Sequence, residues 1–200
     1  VIDTGVDVTR RWTLRLVAGL AAGAVALSGC SERQEANDTL PGADAEPSAS
    51  EPELPPLGPP DLPMPAAART PDAAGAEAFV RYYIDLINRT STVMDAALLR
   101  EFSDRCDGCN RIAAHTEEDA RAGYDYEGGE ITITEISQPL MKGATAEMAI
   151  RMDQARFRVV DASGSPVDGG SEPYSALLGG AALVWSPDRS TWLITSLTFG

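Results

Sequence analysis

Ile131-Thr132-Ile133-Thr134-Glu135-Ile136 is the stretch at which the periodicity of the chain changes. Ile131, Ile133 and Ile136 interleave with Thr132, Thr134 and Glu135, a repeat of two that suits a pleated strand with one buried face. Gly128-Gly129 before it and Pro139 after it punctuate the run. Everything downstream keeps the same period. A longer strand is expected over residues 145–161, where Met148, Ile150 and Met152 alternate with Glu147, Ala149 and Arg151, and Phe157, Val159 and Val160 continue the pattern. Residues 162–166 and Asp168-Gly169-Gly170 are turn chemistry. A third strand is expected from Tyr174 to Trp185, with a bulge or sharp bend at Gly179-Gly180, and a last strand from Thr191 to Phe199.

Upstream the period is helical. Phe79, Tyr83 and Ile87 recur at four-residue spacing, with Val80 and Ile84 on the adjoining stripe, so one face of a helix must be covered. Thr70 is suited to cap it, Pro71 to open it, and Asp72 and Glu77 to sit near the positive end of its dipole. Residues 88–91 read as a break, with Ser91 or Thr92 capping a second helix that carries Met94, Leu98 and Phe102. A third helix from about residue 110 to 121 is weakly apolar on Ile112, Ala113 and Ala120 and should be largely exposed. Helices followed by strands imply an α+β fold with an antiparallel sheet.

The first thirty residues have a different character. Arg10, Arg11 and Arg15 precede an apolar run from Leu16 to Leu27, and Leu27-Ser28-Gly29-Cys30 closes it. This is a signal-peptide pattern that resembles a bacterial lipobox, and the resemblance implies a diacylglyceryl group on Cys30. The run is too short to span a hydrocarbon core of about 30 Å, whereas two acyl chains hold a protein firmly to a membrane. The arginine pair also resembles a twin-arginine export signal, with Thr13 where that signal usually has Phe.

Residues 31–70 hold nine prolines among acidic and small residues and no aromatic, a composition expected to stay disordered as a tether. Forty residues of extended chain would reach on the order of 120 Å, lifting a domain at 71–200 off the membrane. Formal charge is +1 over residues 1–30, −6 over 31–70 and −9 over 71–200, which sums to the total of −14. An acidic surface without clustered Lys and Arg argues against nucleic acid as a partner.

With Cys30 lipidated, Cys106 and Cys109 remain. In an extracytoplasmic compartment they are expected to form a disulfide, which would shape the junction between the second and third helices. Redox activity is the alternative, opposed by Asp104 and Asp107, which disfavour a thiolate. Zinc is another, on a C-x2-C-x5-H spacing that ends at His115 and lacks a fourth ligand beyond a carboxylate such as Asp104 or Glu118. An isomerase-like pocket would need a carboxylate base and hydrogen-bond donors converging among apolar walls. Tyr82, Tyr83, Asp85, Tyr124 and Tyr126 have the right chemistry, and Trp185, Trp192 and Phe199 could line such a pocket from the last two strands. No nucleophile elbow and no cofactor-binding motif is present.

The three helices followed by long antiparallel strands resemble the nuclear transport factor 2-like, or ketosteroid isomerase-like, cone fold. That resemblance implies three N-terminal helices packed on a strongly bent, four-stranded antiparallel sheet. Together with the lipobox, the acidic tether, Phe79-Val80-Arg81-Tyr82-Tyr83, the Cys106 to Cys109 loop and Trp192-Leu193, it resembles a family of actinobacterial lipoproteins of unknown function. The expectation is a lipid-anchored extracytoplasmic protein that presents a non-enzymatic binding domain to an envelope protein or a small ligand. The alternative is a small-molecule pocket protein, with Tyr82, Tyr83, Asp85 and Trp185 as candidate pocket residues.

Overall fold

Helix α1 runs from Ala73 to Val93. In the computed structural model, which describes residues 54–200, its cap is Asp72, whose carboxylate accepts from Gly75 N at 2.7 Å. Thr70, the cap expected from sequence, instead has its hydroxyl within bonding distance of Asp72 Oδ1 at 3.1 Å and of the Ala67 carbonyl at 3.2 Å, with one proton to give to either. The expected break at 88–91 is absent. Ser91 and Thr92 return their hydroxyls to the carbonyls of Ile87 and Asn88 one turn back, so they extend the helix instead of capping the next one. Asn88 leaves the helix sideways and clamps the backbone of Ile131, accepting from its N–H and donating to its carbonyl, each at 2.9 Å. Met94, in the left-handed region at φ 55°, ends the helix. The short α2, Ala97–Glu101, and α3, Asp107–Ala122, complete the helical half.

The strands are β1 (Asp125–Gly128), β2 (Ile131–Ile136), β3 (Leu140–Lys142), β4 (Thr145–Gln154), β5 (Phe157–Val160), β6 (Pro166–Ser171), β7 (Tyr174–Ser186) and β8 (Thr191–Phe199). All strand pairings are antiparallel. The main sheet has the order β2-β4-β7-β8, with β3 beside β4, and a second sheet has the order β1-β5-β6. Three helices thus precede and pack on bent antiparallel sheet, the α+β cone-like arrangement expected from sequence.

Three details differ from the sequence reading. The single strand expected over 145–161 divides at Ala155-Arg156, where those two residues bond to Glu130 and Gly129, and its halves enter different sheets. Pro166 and residues 168–170, expected as turns, fall within β6, with Gly170 opposite Arg158. Gly179 and Gly180 pair in register with both neighbours, and the irregularity in the β7–β8 ladder falls at Ala182/Leu183 instead. The glycine at 179 answers a close approach, because a Cβ there would run into the Thr198 carbonyl.

The core lies between α1, α2 and the concave face of the main sheet. Phe79, Tyr83, Leu86, Leu99 and Phe102 from the helices meet Ile150, Leu183, Trp192 and Ile194 from the strands, all fully buried. Phe102 stands edge-on to Phe79 and Tyr82. The indole Nε1–H of Trp192 donates to the Thr70 carbonyl at 2.8 Å.

The expected domain start at 71 is corrected. Residues 54–69 are folded against α1 and β8 as a strap that ends in a 3-10 turn, Ala66–Arg69. Met64 and Ala68 are buried, Met64 N bonds to the Leu57 carbonyl at 2.8 Å, and Asp61 pairs with Arg89 at 2.7 Å. Prolines are compatible with this because they lower the entropy of the unfolded segment, so a few apolar anchors suffice to hold it. The lipobox, Cys30 and residues 31–53 of the expected tether lie outside the described residues. No helix among the described residues is long and apolar enough to cross a membrane.

Candidate functional site

Away from the aromatic core, between α3 and the second sheet, the structure leaves a cavity of about 410 Å³. Helix α3 turns Ile112, Thr116 and Asp119 toward it, residues spaced four and three apart and therefore on one face. Its floor is Ile131 and Met152 of the main sheet, and its far wall is Phe157 and Val159 of β5. Leu177 and Phe199 close one side. Its volume and apolar walls are those of a small-molecule site.

Local sequence builds this end. Gly123, at φ 77°, stops α3, and the Tyr124 N–H closes onto the Asp119 carbonyl at 2.9 Å. The chain then reverses into β1, and Tyr126 returns beside the helix it has just left. Its ring meets Phe157 edge-on at 4.8 Å between centroids. Gly129, at φ 80°, leaves room for the Phe157 ring, which a Cβ at this position would strike.

One polar pair faces the cavity. Tyr126 donates its phenolic proton to Asp119 Oδ2 at 2.6 Å. Burial, and after it the hydrogen bond and charge of Asp119, push the Tyr126 phenol well above its ordinary value, with a small opposing effect from the Thr116 hydroxyl. The phenol therefore stays protonated at physiological pH. Thr116, Gln154 and the half-exposed rim residue Ser91 complete the polar side-chain lining, together with His115, whose side chain is largely exposed and lies 4.0 Å from Glu118. A broader hollow of about 470 Å³ lies on the outer face of the main sheet, but it is an open trough over small side chains such as Ala149, Gly180 and Ala182.

The candidate pocket residues from sequence lie elsewhere. Tyr83 is buried in the core and donates to the Leu99 carbonyl at 2.9 Å, and burial raises its phenol. Tyr82 is buried under the strap with no hydrogen-bond partner for its hydroxyl, and burial, followed by the charge of Glu101, pushes it up to about 12. Asp85 lies in a separate shallow groove with Arg81, Asn88 and Glu130, where partial burial and then Glu130 raise its carboxyl. Trp185 packs edge-on against Trp192 at 5.4 Å. Of the other aromatics considered from sequence, Tyr126 and Phe199 do reach the cavity.

Cys106 and Cys109 have their sulfurs 2.07 Å apart, both buried, and Cys106 Sγ also accepts from Cys109 N at the start of α3. With each sulfur bonded to the other, neither is available to zinc. Among the described residues no group of three His, Cys, Asp or Glu side chains is placed to hold a metal ion.

No protein-family model and no curated protein matches the chain. Solved structures do resemble it. The intermembrane-space region of the chloroplast protein ARC6 is similar at 17% identity and TM-score 0.47, over 64% of this chain and 95% of that one. A nuclear transport factor 2-like superfamily protein from Salmonella enterica serovar Typhimurium is similar at 10% identity and TM-score 0.43, over 64% of this chain and 92% of that one.

Proposed function

We propose that the chain is a lipid-anchored envelope protein of the actinobacterial type, held at the outer face of the cytoplasmic membrane through Cys30, and that its nuclear transport factor 2-like cone serves to bind a small apolar ligand. The anchor rests on the lipobox sequence. The ligand reading rests on one observation, the cavity of about 410 Å³ with apolar walls and a single Tyr126–Asp119 pair at its edge. A filled cone would have favoured a protein-docking role for the domain's surface instead. Holding a ligand, with no turnover, fits a pocket whose carboxylate is already bonded to the neighbouring phenol.

The second reading is isomerase-like proton transfer, favoured by the same carboxylate and phenol standing next to an apolar space. It requires the phenol proton to leave Asp119 for a substrate oxygen when substrate binds.

The anchor is tested by fractionating cells that express Cys30→Ala. The variant should move from the membrane pellet to the soluble fraction, and retention in the pellet without detergent would end the anchoring proposal. The pocket is tested by native mass spectrometry of the chain purified from its own membranes. A bound small apolar molecule, absent from an Ile112→Trp variant that fills the cavity, is the expected result. The same occupancy in both proteins would place the ligand outside this cavity.

A further inference from the structure

The hydroxyl protons around the cavity are already committed. Tyr126 gives its proton to Asp119, Thr116 faces the Ile112 carbonyl at 3.1 Å, and Ser91 faces the Ile87 carbonyl at 3.2 Å. What these side chains still offer is lone pairs, and Asp119 adds a carboxylate with further acceptor capacity. Among the described residues that line the cavity, Asp119 carries the one full charge and there is no Lys or Arg. Side-chain donors left over among these residues are those of Gln154 and the rim imidazole of His115.

Resting on the reading of this cavity as a ligand site, we propose that it selects an apolar molecule whose head is a hydrogen-bond-donating cation, an alkylammonium, and that it rejects the carboxylate of the same tail. The ammonium donates to Asp119 and to the oxygen of Tyr126, beside the edge-to-face pair that Tyr126 forms with Phe157 in the cavity lining. The tail lies between Ile112, Met152 and Val159. A carboxylate entering the same way meets Asp119 as a like charge and finds lone pairs facing lone pairs. An alcohol, with one donor and no charge, falls between the two.

The test is calorimetric titration of the full chain carrying Cys30→Ala, which removes the lipidation site and leaves the rest of the polypeptide intact, with decylamine, decanol and decanoate below their aggregation thresholds. Decylamine should bind about tenfold or more tighter than decanoate, with decanol between them. Asp119→Asn, which keeps an acceptor for Tyr126 and removes the charge, should bring the three close to parity. A preference for the amine that survives Asp119→Asn would trace it to the acidic surface at large and overturn the proposal. Equal binding of all three, lost together in Ile112→Trp, would overturn the head-group selectivity and leave the ligand pocket standing. Binding untouched by Ile112→Trp, or no binding of any probe, would remove the pocket reading and this proposal with it.

Discussion

The two ends of this domain are built in opposite ways. At the closed end the strap, α1, α2 and β8 bring Phe79, Tyr83, Phe102 and Trp192 together with no exposure. At the open end α3, β1, β5 and β6 contribute none of the largest fully buried side chains, and they enclose an empty volume instead. Dense aromatic packing makes one end a foundation, although the buried Tyr82 hydroxyl there has no hydrogen-bond partner. The other end is a cavity whose walls hang from it, and the two ends share Ile87 and Met152, which belong to the core and also line the cavity.

The sharpest way to break this division is to truncate one large side chain at each end. Trp192→Ala removes a fully buried indole and its hydrogen bond to Thr70, and it should cost about 3 to 5 kcal/mol. Phe157→Ala, at a half-buried cavity wall, should cost about 1 to 2 kcal/mol, because part of that ring already borders open space. Urea titrations of both variants measure the two costs. Equal losses would mean that the cavity walls are as structural as the core.

The strap sharpens the same comparison. Met64 is buried at the closed end, where Thr191 Oγ1 lies 3.2 Å from its sulfur, so Met64→Ala should destabilise by about 2 kcal/mol. A Met64→Ala chain as stable as the original would show the strap to be dispensable and would restore a domain start near residue 71. Limited proteolysis is an independent check. The parent should resist cleavage across 54–69, and the variant should be cut there first.

What sequence could and could not show follows the same divide. β2 and β8 were legible because short runs rich in Ile, Thr and aromatic residues, bounded by turn residues, read as strands, although β2 shifts register between Ile133 and Glu135 and β8 does not alternate strictly. The α1 face was equally legible, since Phe79, Tyr83 and Ile87 all point into the core. The strap was hidden because a window rich in proline and acid averages away Leu57, Leu62 and Met64, three anchors that act only through contacts distant in sequence. The split between β4 and β5 was marked in sequence only by a change of parity, from Met148, Ile150 and Met152 to Phe157 and Val159 across Gln154 and Arg156, and the sheet change there depends on bonds to Gly129 and Glu130. At the site, the tyrosine that matters was within view but its partner was not. Tyr126 meets Asp119 only because Gly123 reverses the chain, and the spacing of seven residues carries no signal until that reversal is placed.

The smallest expected effect isolates the open end from the closed one through pH. Tyr82, Tyr83 and Tyr126 all have phenols raised above the ordinary value of 10.0, with burial as the main cause at each. A raised phenol favours the protonated folded state, so its contribution to stability is fully present below about pH 10 and is lost as pH rises through the folded value. The parent should therefore lose melting temperature as pH passes 10. Tyr126→Phe at neutral pH removes one hydrogen bond whose acceptor, Asp119, is only half-buried and can turn to water, a cost of about 1 kcal/mol or less. Between pH 10 and 12 the variant should lose less than the parent, because it has one fewer phenol to ionise, while Tyr82 and Tyr83 keep the rest of the alkaline transition in place. A variant whose melting curve shifts by the same amount at every pH would mean that Tyr126 ionises freely in the folded state. The cavity edge would then be wet, and the open end would be a solvent-filled cleft with no dry pocket for a tail.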